Sequence, residues 1–118
     1  MSKLKELMNM LVKIVNSKPD LKKKVHDWIG PYNGKVLQLQ TEEGSWHLVV
    51  ARDGLALFEG EYPSPDVIYE GTAQLMVDIF TAQADFRKAM KSWDLVVIGA
   101  GHESIPLANL IADVLMSV

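Results

Sequence analysis

The stretch PDVIYEGTAQLMVDIFTAQADFRKAMKSWDLVVIG, residues 65–99, decides the fold. It opens with Val67, Ile68 and Tyr69, a run of β-branched and aromatic residues that is typical of a strand. It closes with residues 94–98, which are apolar on both faces and predict a second strand. The residues between have helical spacing, so the stretch predicts a strand, two helices and another strand.

The two helices between these strands are predicted to be short and amphipathic. Thr72 is a suitable N-cap for the first helix and Asp85 for the second. Apolar residues recur at three- and four-residue spacing on one face of each helix. In the first helix they are Leu75, Met76, Ile79 and Phe80. In the second they are Phe86, Ala89 and Met90, with Arg87, Lys88 and Lys91 opposite. We expect both helices to lie over a sheet.

Length and composition predict one globular domain over residues 1–118. A chain of 118 residues can bury roughly two thirds of its unfolded surface without covalent cross-links. Cysteine is absent, which excludes disulfides and thiolate metal sites. The sequence lacks a signal peptide and an apolar run of about 18 residues, so we expect a cytoplasmic protein. A net charge of -3 argues against nucleic acid as a partner.

Residues 1–18 predict an amphipathic helix. Its apolar stripe consists of Leu4, Leu7, Met8, Leu11, Val12, Ile14 and Val15. Packing of this stripe on its own domain or on a second subunit is favoured over a membrane surface, which such a helix can also bind. Asp20 is predicted to cap a second helix over residues 21–29, whose three lysines (22–24) form a solvated face.

From residue 35 the apolar period changes to two, which predicts three antiparallel strands. The Asp53-Gly54 dipeptide is a strong hairpin signal between the second and third strands. The best candidates for the inward face are Leu37, Leu39, Trp46, Leu48, Val50, Leu55 and Leu57. After the central stretch, residues 105–118 predict a final helix that Ser104 caps.

Catalytic and cofactor motifs are not supported. Gly99 and Gly101 precede the last helix, but Ser104 stands at the third position of a dinucleotide fingerprint, and no second parallel strand follows. The histidines at 26, 47 and 102 lack metal-ligand spacing. Asp66 and Asp94 are interpreted as turn residues. The sequence therefore predicts neither an enzyme, a metal site nor a cofactor.

The order of segments resembles the type-two sterol carrier protein family of lipid-binding domains, from about Leu21 to Leu115. The resemblance rests on the Pro-Asp strand at 65–68, the phrase TAQADFRKAM at 81–90 and the apolar strand that ends at Gly99. The family commonly has glycine where Ala82 and Trp93 stand. The resemblance implies an α+β fold with a five-stranded, mostly antiparallel sheet, helices on one face, and an apolar tunnel between them.

Such a tunnel would take a fatty acid, a fatty acyl-CoA or a sterol-like lipid. The first hypothesis is therefore non-catalytic binding or transfer of a hydrophobic small molecule, gated by the last helix. The predicted lining residues are Leu75, Ile79, Phe80, Phe86, Met90, Trp93, Leu110 and Leu115.

Two alternatives stay open. The chain can be a structural or oligomerisation module, in which Trp93 and Ala82 fill the tunnel and the amino-terminal stripe forms a homodimer. It can also be an accessory domain of a lipid-metabolism enzyme, which rests on family analogy alone. Peripheral membrane contact is open as well.

Overall fold

The computed structural model describes residues 3–29, 34–51, 54–63, 65–99 and 101–116, except for the side chains of residues 28–29 and 101–104. Within these ranges the helices are α1 (Lys3–Ser17), α2 (Pro19–Ile29), α3 (Ala73–Phe80), α4 (Phe86–Lys91) and α5 (Gly101–Met116). The strands are β1 (Gly34–Thr41), β2 (Gly44–Ala51), β3 (Gly54–Glu59), β4 (Val67–Glu70) and β5 (Val96–Gly99).

The strands form one sheet in the order β3-β2-β1-β4-β5. β1, β2 and β3 are an antiparallel meander, and β4 is parallel to β1 and antiparallel to β5. The predicted α+β class with a mostly antiparallel five-stranded sheet is confirmed. Ala51 pairs with Gly54, as expected for a two-residue hairpin, although Asp53 itself lies outside the described residues.

The register aligns the apolar side chains on one face of the sheet. Leu37 pairs with Leu48 on one side and Val67 on the other, so alternation along the strands places their neighbours on the same face. Six side chains there are at most 1% exposed: Leu37, Leu39, Leu48, Val50, Val67 and Tyr69. The helices pack on this face, and the predicted inward positions of the meander join the core, with Leu57 half-buried.

The opposite face of the sheet carries no described helix. Its side chains include Gln38, His47 and Phe58, which alternate with the core positions. Residues 59–63 fold back over it, and the Tyr62 N–H donates to Oε1 of Gln38 at 2.8 Å. The ring of His47 stacks on Phe58, with centroids 5.3 Å apart. This face is therefore partly closed by a loop and otherwise open to solvent.

The apolar stripe of α1 is buried in the chain's own domain. Leu4, Met8, Leu11 and Val15 are at most 1% exposed, and α1 runs beside the edge strand β3. A membrane surface or a second subunit could reach these side chains only if α1 left the sheet. None of the described helices is long and apolar enough to span a membrane.

Asn16 closes the outer edge of β3. Its Nδ2 donates to the carbonyl of Leu55 at 2.9 Å, and its Oδ1 accepts from the Leu55 N–H at 2.8 Å. The side-chain amide therefore replaces the next strand of the sheet at this residue. Gly54 is required beside it, because a Cβ there would lie 2.3 Å from Oδ1 of Asn16 and the φ angle is +148°.

Lys5 forms an ion pair with Glu59, near the other end of the same strand. The hydrogen bond from Lys5, with its charge, holds the pKa of the Glu59 carboxyl below its usual value. Since the folded pKa is depressed, this contact stabilises the fold above the unfolded value and is lost as the pH falls. The pair is exposed, so its contribution is small.

Two predicted helix starts are wrong. Asp20 is not the N-cap of α2, because the Lys18 carbonyl already accepts from the N–H groups of Leu21 and Lys22, both at 3.1 Å. Pro19 occupies the first helical position, where the missing N–H costs nothing. Ser104 is not the N-cap of the last helix, because α5 begins at Gly101 and carries Pro106 inside it. The backbone is helical one turn earlier than the proline position suggests.

The predicted caps of α3 and α4 are present. Oγ1 of Thr72 accepts from the Leu75 N–H at 3.1 Å, and Oδ2 of Asp85 accepts from the Lys88 N–H at 2.9 Å. Both helices end on a residue with left-handed backbone, Ala82 at φ 62° and Trp93 at φ 64°. These are the two positions at which the sequence resemblance implied glycine.

The turn after α3 is a Schellman motif. The Ala82 N–H donates to the Ile79 carbonyl at 3.2 Å, and the Gln83 N–H donates to the Asp78 carbonyl at 2.6 Å. Glycine is the usual residue at the left-handed position, because a side chain there costs roughly 1–2 kcal/mol. In this chain Ala82 and Trp93 occupy the left-handed positions and therefore carry that energetic cost.

We expect Asn16→Ala to lower the free energy of unfolding by about 1–2 kcal/mol, because both backbone groups of Leu55 lose their partner. Urea unfolding measures the change. Asn9→Ala removes an exposed asparagine from the same helix and should leave stability unchanged or slightly higher. Equal losses in the two variants would contradict a role for Asn16 at the strand edge.

We expect Ala82→Gly to raise the free energy of unfolding by about 0.5–1 kcal/mol. Relief of the left-handed conformation exceeds the entropy that glycine adds to the unfolded chain. Ala84→Gly is the matched control in the same turn, since Ala84 lacks a positive φ and should lose stability instead. Thermal unfolding of both variants tests this, and a loss in Ala82→Gly would refute the assigned strain.

Candidate functional site

A cleft of about 540 Å³ opens between the α3–α4 turn and α5. Its apolar lining residues are Ile79, Ala82, Ala84, Phe86, Ile105, Ala108 and Ala112. Its polar and charged lining residues are Gln83, Asp85, Arg87, Asn109 and Asp113. The volume lies in the range of small-molecule sites, about 300–1,000 Å³. Apolar and polar groups in one cleft suit a molecule that has a hydrophobic body and a polar end.

An aromatic cluster fixes one wall of this cleft against the sheet. The Tyr69 ring of β4 contacts the Phe86 ring of α4 edge-on at 5.3 Å, and the Phe80 ring of α3 at 6.4 Å. All three rings are buried. The left-handed residue Ala82 turns the chain between the two helices and lines the cleft itself. The position of α4 thus follows from the sheet, the turn and the Asp85 cap.

A second space lies in the interior, under α5. It is lined only by aliphatic side chains: Leu11, Val15, Val25, Leu48, Val50, Leu55, Leu107, Leu110, Ile111 and Val114. Its free volume is about 10 Å³, which is room for no more than one water molecule. An acyl chain does not fit there unless a wall moves.

Helix α5 separates the two spaces. Leu107, Leu110, Ile111 and Val114 face the interior, whereas Ile105, Ala108 and Ala112 face the cleft. Helix α5 therefore contributes side chains to the walls of both spaces.

The eight predicted lining residues divide among several places. Ile79 and Phe86 line the cleft, and Leu110 lines the interior space. Phe80 and Leu115 are buried in the core, whereas Leu75 and Met90 are half-buried. Trp93 is 79% exposed and lines neither space. Their joint role as a lining stays a prediction.

Sequence reasoning missed the α5 side of the cleft. Ala108 and Ala112 are four residues apart on a helix that is otherwise rich in leucine and isoleucine. Small residues at this spacing leave a groove along one helix face, and this signal was available in the sequence. Arg87 was predicted to lie opposite the apolar face of α4, and its place at the cleft depends on how α4 packs beside α5.

A different cleft, of about 510 Å³, is acidic. Its lining includes Glu42, Glu61, Glu70 and Asp94. Among the described residues, no group of three potential ligands is placed to hold a metal ion. Of the two carboxylates interpreted as turn residues, Asp94 contacts a residue of its own turn, whereas Asp66 bonds to the backbone of β1. Asp66 Oδ2 accepts from the Val36 N–H at 2.7 Å, and Asp94 Oδ2 accepts from Oγ of Ser92 at 2.8 Å.

No family model and no curated protein sequence matches the chain. Solved structures do. UbiJ-SCP2, a ubiquinone synthesis protein, superposes with a TM-score of 0.71 at 18% identity over 90% of this chain and 85% of that one. Palmitated SCP2L2 from Aedes aegypti matches with a TM-score of 0.61 at 23% identity, over 94% of this chain and 95% of its own. The chain has the sterol carrier protein 2 fold.

The sterol carrier fold also occurs within a larger protein. The sec-alkylsulfatase Pisa1 from Pseudomonas sp. matches with a TM-score of 0.65 at 18% identity. The match covers 75% of this chain but only 14% of the sulfatase. At these identities the likeness establishes the sterol carrier fold and leaves the ligand of this chain to be argued from its own residues.

We expect the fold to lose stability at alkaline pH through Tyr69, beside the cleft. Burial raises the pKa of its phenol above the usual range. Because the folded pKa exceeds the unfolded value of about 10, the contribution is present below that pH and is lost as the pH rises further. Urea unfolding from about pH 8 to pH 11 should therefore show a falling free energy of unfolding.

Tyr69→Phe should flatten this alkaline decline, because the titrating group is gone. Tyr62→Phe removes the same hydroxyl from an exposed ring and should keep the decline of the parent. Identical pH slopes in all three proteins would contradict the role given to Tyr69.

Proposed function

We propose that this protein binds and transfers a lipid with a hydrophobic chain, such as a fatty acid, a fatty acyl-CoA or a sterol-like molecule, without chemical conversion. The observation that carries the proposal is the cleft between the α3–α4 turn and α5, which is lined by seven apolar side chains and by polar groups beside them. The sterol carrier fold, which this chain shares with palmitated SCP2L2, supports the same assignment.

Burial of a hydrocarbon chain supplies enough free energy for binding without specific polar contacts. About 16 methylenes at about 0.8 kcal/mol each give on the order of 10 kcal/mol before the cost of association. Micromolar affinity remains after that cost. The cleft is lined by one cation, Arg87, and by two carboxylates, Asp85 and Asp113. Arg87 offers hydrogen-bond donors to the polar end of a lipid, and the carboxylates offer acceptors.

Movement of α5 is part of the proposal. The cleft can hold part of a lipid in the structure as it stands, whereas the interior needs α5 to shift before a chain can enter. Entry would exchange contacts among aliphatic side chains for similar contacts with the ligand, so the net cost is modest. We propose that α5 is the gate of the lipid site. We propose the cytoplasm as the compartment in which the protein acts.

A second candidate function follows from the small interior space. With about 10 Å³ free under α5, the core is almost filled, as expected of a structural module. In that case the cleft is a surface groove without a lipid. An accessory role beside an enzyme domain would resemble the arrangement in the sulfatase, where the matching part is a small share of the chain.

Titration with a fluorescent fatty acid tests lipid binding directly. We expect saturable binding by the parent protein and a loss of at least about tenfold in affinity, equal to about 1.4 kcal/mol, for Ala112→Phe, whose ring fills the cleft. Ala56→Phe adds the same ring on the sheet face away from the helices and should bind like the parent.

Hydrogen exchange with and without the fatty acid locates the moving wall. The α5 amides should change protection more than those of β1 and β2. Absence of saturable binding would favour the structural module, and binding that survives Ala112→Phe unchanged would exclude the cleft as the site.

A further inference from the structure

Trp93 combines two unfavourable features in the isolated protein. Its backbone is left-handed at φ 64°, at a position after α4 where glycine is the usual residue. Its ring is 79% exposed. The Trp93 N–H donates to the Met90 carbonyl at 3.2 Å, a bond that glycine would also make. Helix termination therefore explains the backbone and leaves the indole ring without a role inside the domain.

Three cations on α4 precede Trp93 in the chain. Arg87, Lys88 and Lys91 are exposed, opposite the buried Phe86 and Ala89. No described carboxylate forms an ion pair with any of the three. The nearest acids in the sequence are engaged locally, since Asp85 caps α4 and Asp94 accepts from Oγ of Ser92. We call Arg87, Lys88, Lys91 and Trp93 the α4 patch.

The α4 patch adjoins the cleft, and the acidic cleft reaches the chain next to this patch at Asp94, the residue after Trp93. Arg87 and Phe86 line the candidate lipid site. In the acidic cleft, Gln40 and Ser45 alternate with core positions and thus belong to the sheet face away from the helices. Asp94 is thus the acid of that cleft nearest to Trp93 along the chain, and its carboxylate is engaged with Oγ of Ser92.

We propose that the α4 patch docks this protein on an anionic lipid bilayer, with the indole ring of Trp93 in the interface and the cations over phosphate groups. Tryptophan favours the membrane interface because its ring is apolar with one polar N–H. Lysine and arginine near an anionic bilayer each add to the attraction. The inference rests on the proposed function, because docking here brings the cleft to the source of its lipid.

The amino-terminal helices offer a competing basic surface. Lys23 and Lys24 of α2 are exposed, and residues 3–29 contain seven lysines and three acidic residues. That surface is farther from the cleft, which no residue of α1 or α2 lines. A pair of lysines on α2 is therefore the matched control for a pair on α4, with the same change of charge.

Co-sedimentation of the full chain with vesicles tests the docking surface. We expect binding to equimolar phosphatidylcholine and phosphatidylglycerol, little binding to phosphatidylcholine alone, and a decline with salt. The double variant Lys88→Gln with Lys91→Gln should weaken vesicle binding about thirtyfold at low salt. Lys23→Gln with Lys24→Gln should weaken it far less.

Trp93→Gly separates docking from folding. The variant relieves the left-handed strain, so its thermal stability should rise while its vesicle binding falls several-fold. Loss of binding then cannot come from unfolding. The docking inference is overturned if the parent does not bind anionic vesicles, if Trp93→Gly binds like the parent, or if the α2 pair matters as much as the α4 pair.

The fatty-acid titration without vesicles keeps the two proposals apart. Lys88, Lys91 and Trp93 do not line the cleft, so their variants should bind the fluorescent fatty acid like the parent. If the parent protein binds vesicles through the α4 patch but takes up no fatty acid, the proposed lipid-binding function is contradicted and the docking surface is not. If the parent protein binds the fatty acid but no vesicles, only the docking proposal is contradicted.

Discussion

Alternation of side chains along the strands is the constraint on which the rest of this structure depends. Successive residues point to opposite faces, so the pairing of Leu37 with Leu48 and Val67 aligns an apolar row across the sheet. A slip of one residue would carry that row to solvent. The five helices of the described residues pack against this sheet and one another, and the cleft lies where the α3–α4 turn and α5 do not close completely.

The strands and most helices could be predicted because their signals are local. Residues 67–69 are β-branched or aromatic, and Thr72 and Asp85 cap their helices as the sequence indicates. The helix starts at Pro19 and Gly101 were missed because a proline near a helix start is compatible with several boundaries. The first residue of a helix is defined by the backbone hydrogen bonds, and these cannot be read from the sequence.

The candidate site could be predicted only in part from the sequence. Ile79 and Phe86 could be placed near a ligand because they lie on amphipathic helices, but a stripe of apolar residues does not reveal which neighbours leave a gap. The cleft is formed where small residues, Ala108 and Ala112, meet the α3–α4 turn. Trp93 was predicted to line or to fill the tunnel, whereas in the structure this residue has a left-handed backbone and is 79% exposed. Packing between distant segments decided where the cleft lies.

The amide of Asn16 has a consequence for how this protein ages. It blocks the sheet edge with one donor and one acceptor, so its function depends on a functional group that water slowly hydrolyses. Deamidation would replace the Nδ2 donor with an oxygen that faces the Leu55 carbonyl, and the two would repel. The edge of β3 would then be free to pair with a neighbouring molecule. Stored preparations would become prone to aggregation through deamidation of one side chain, without any change in the hydrophobic core.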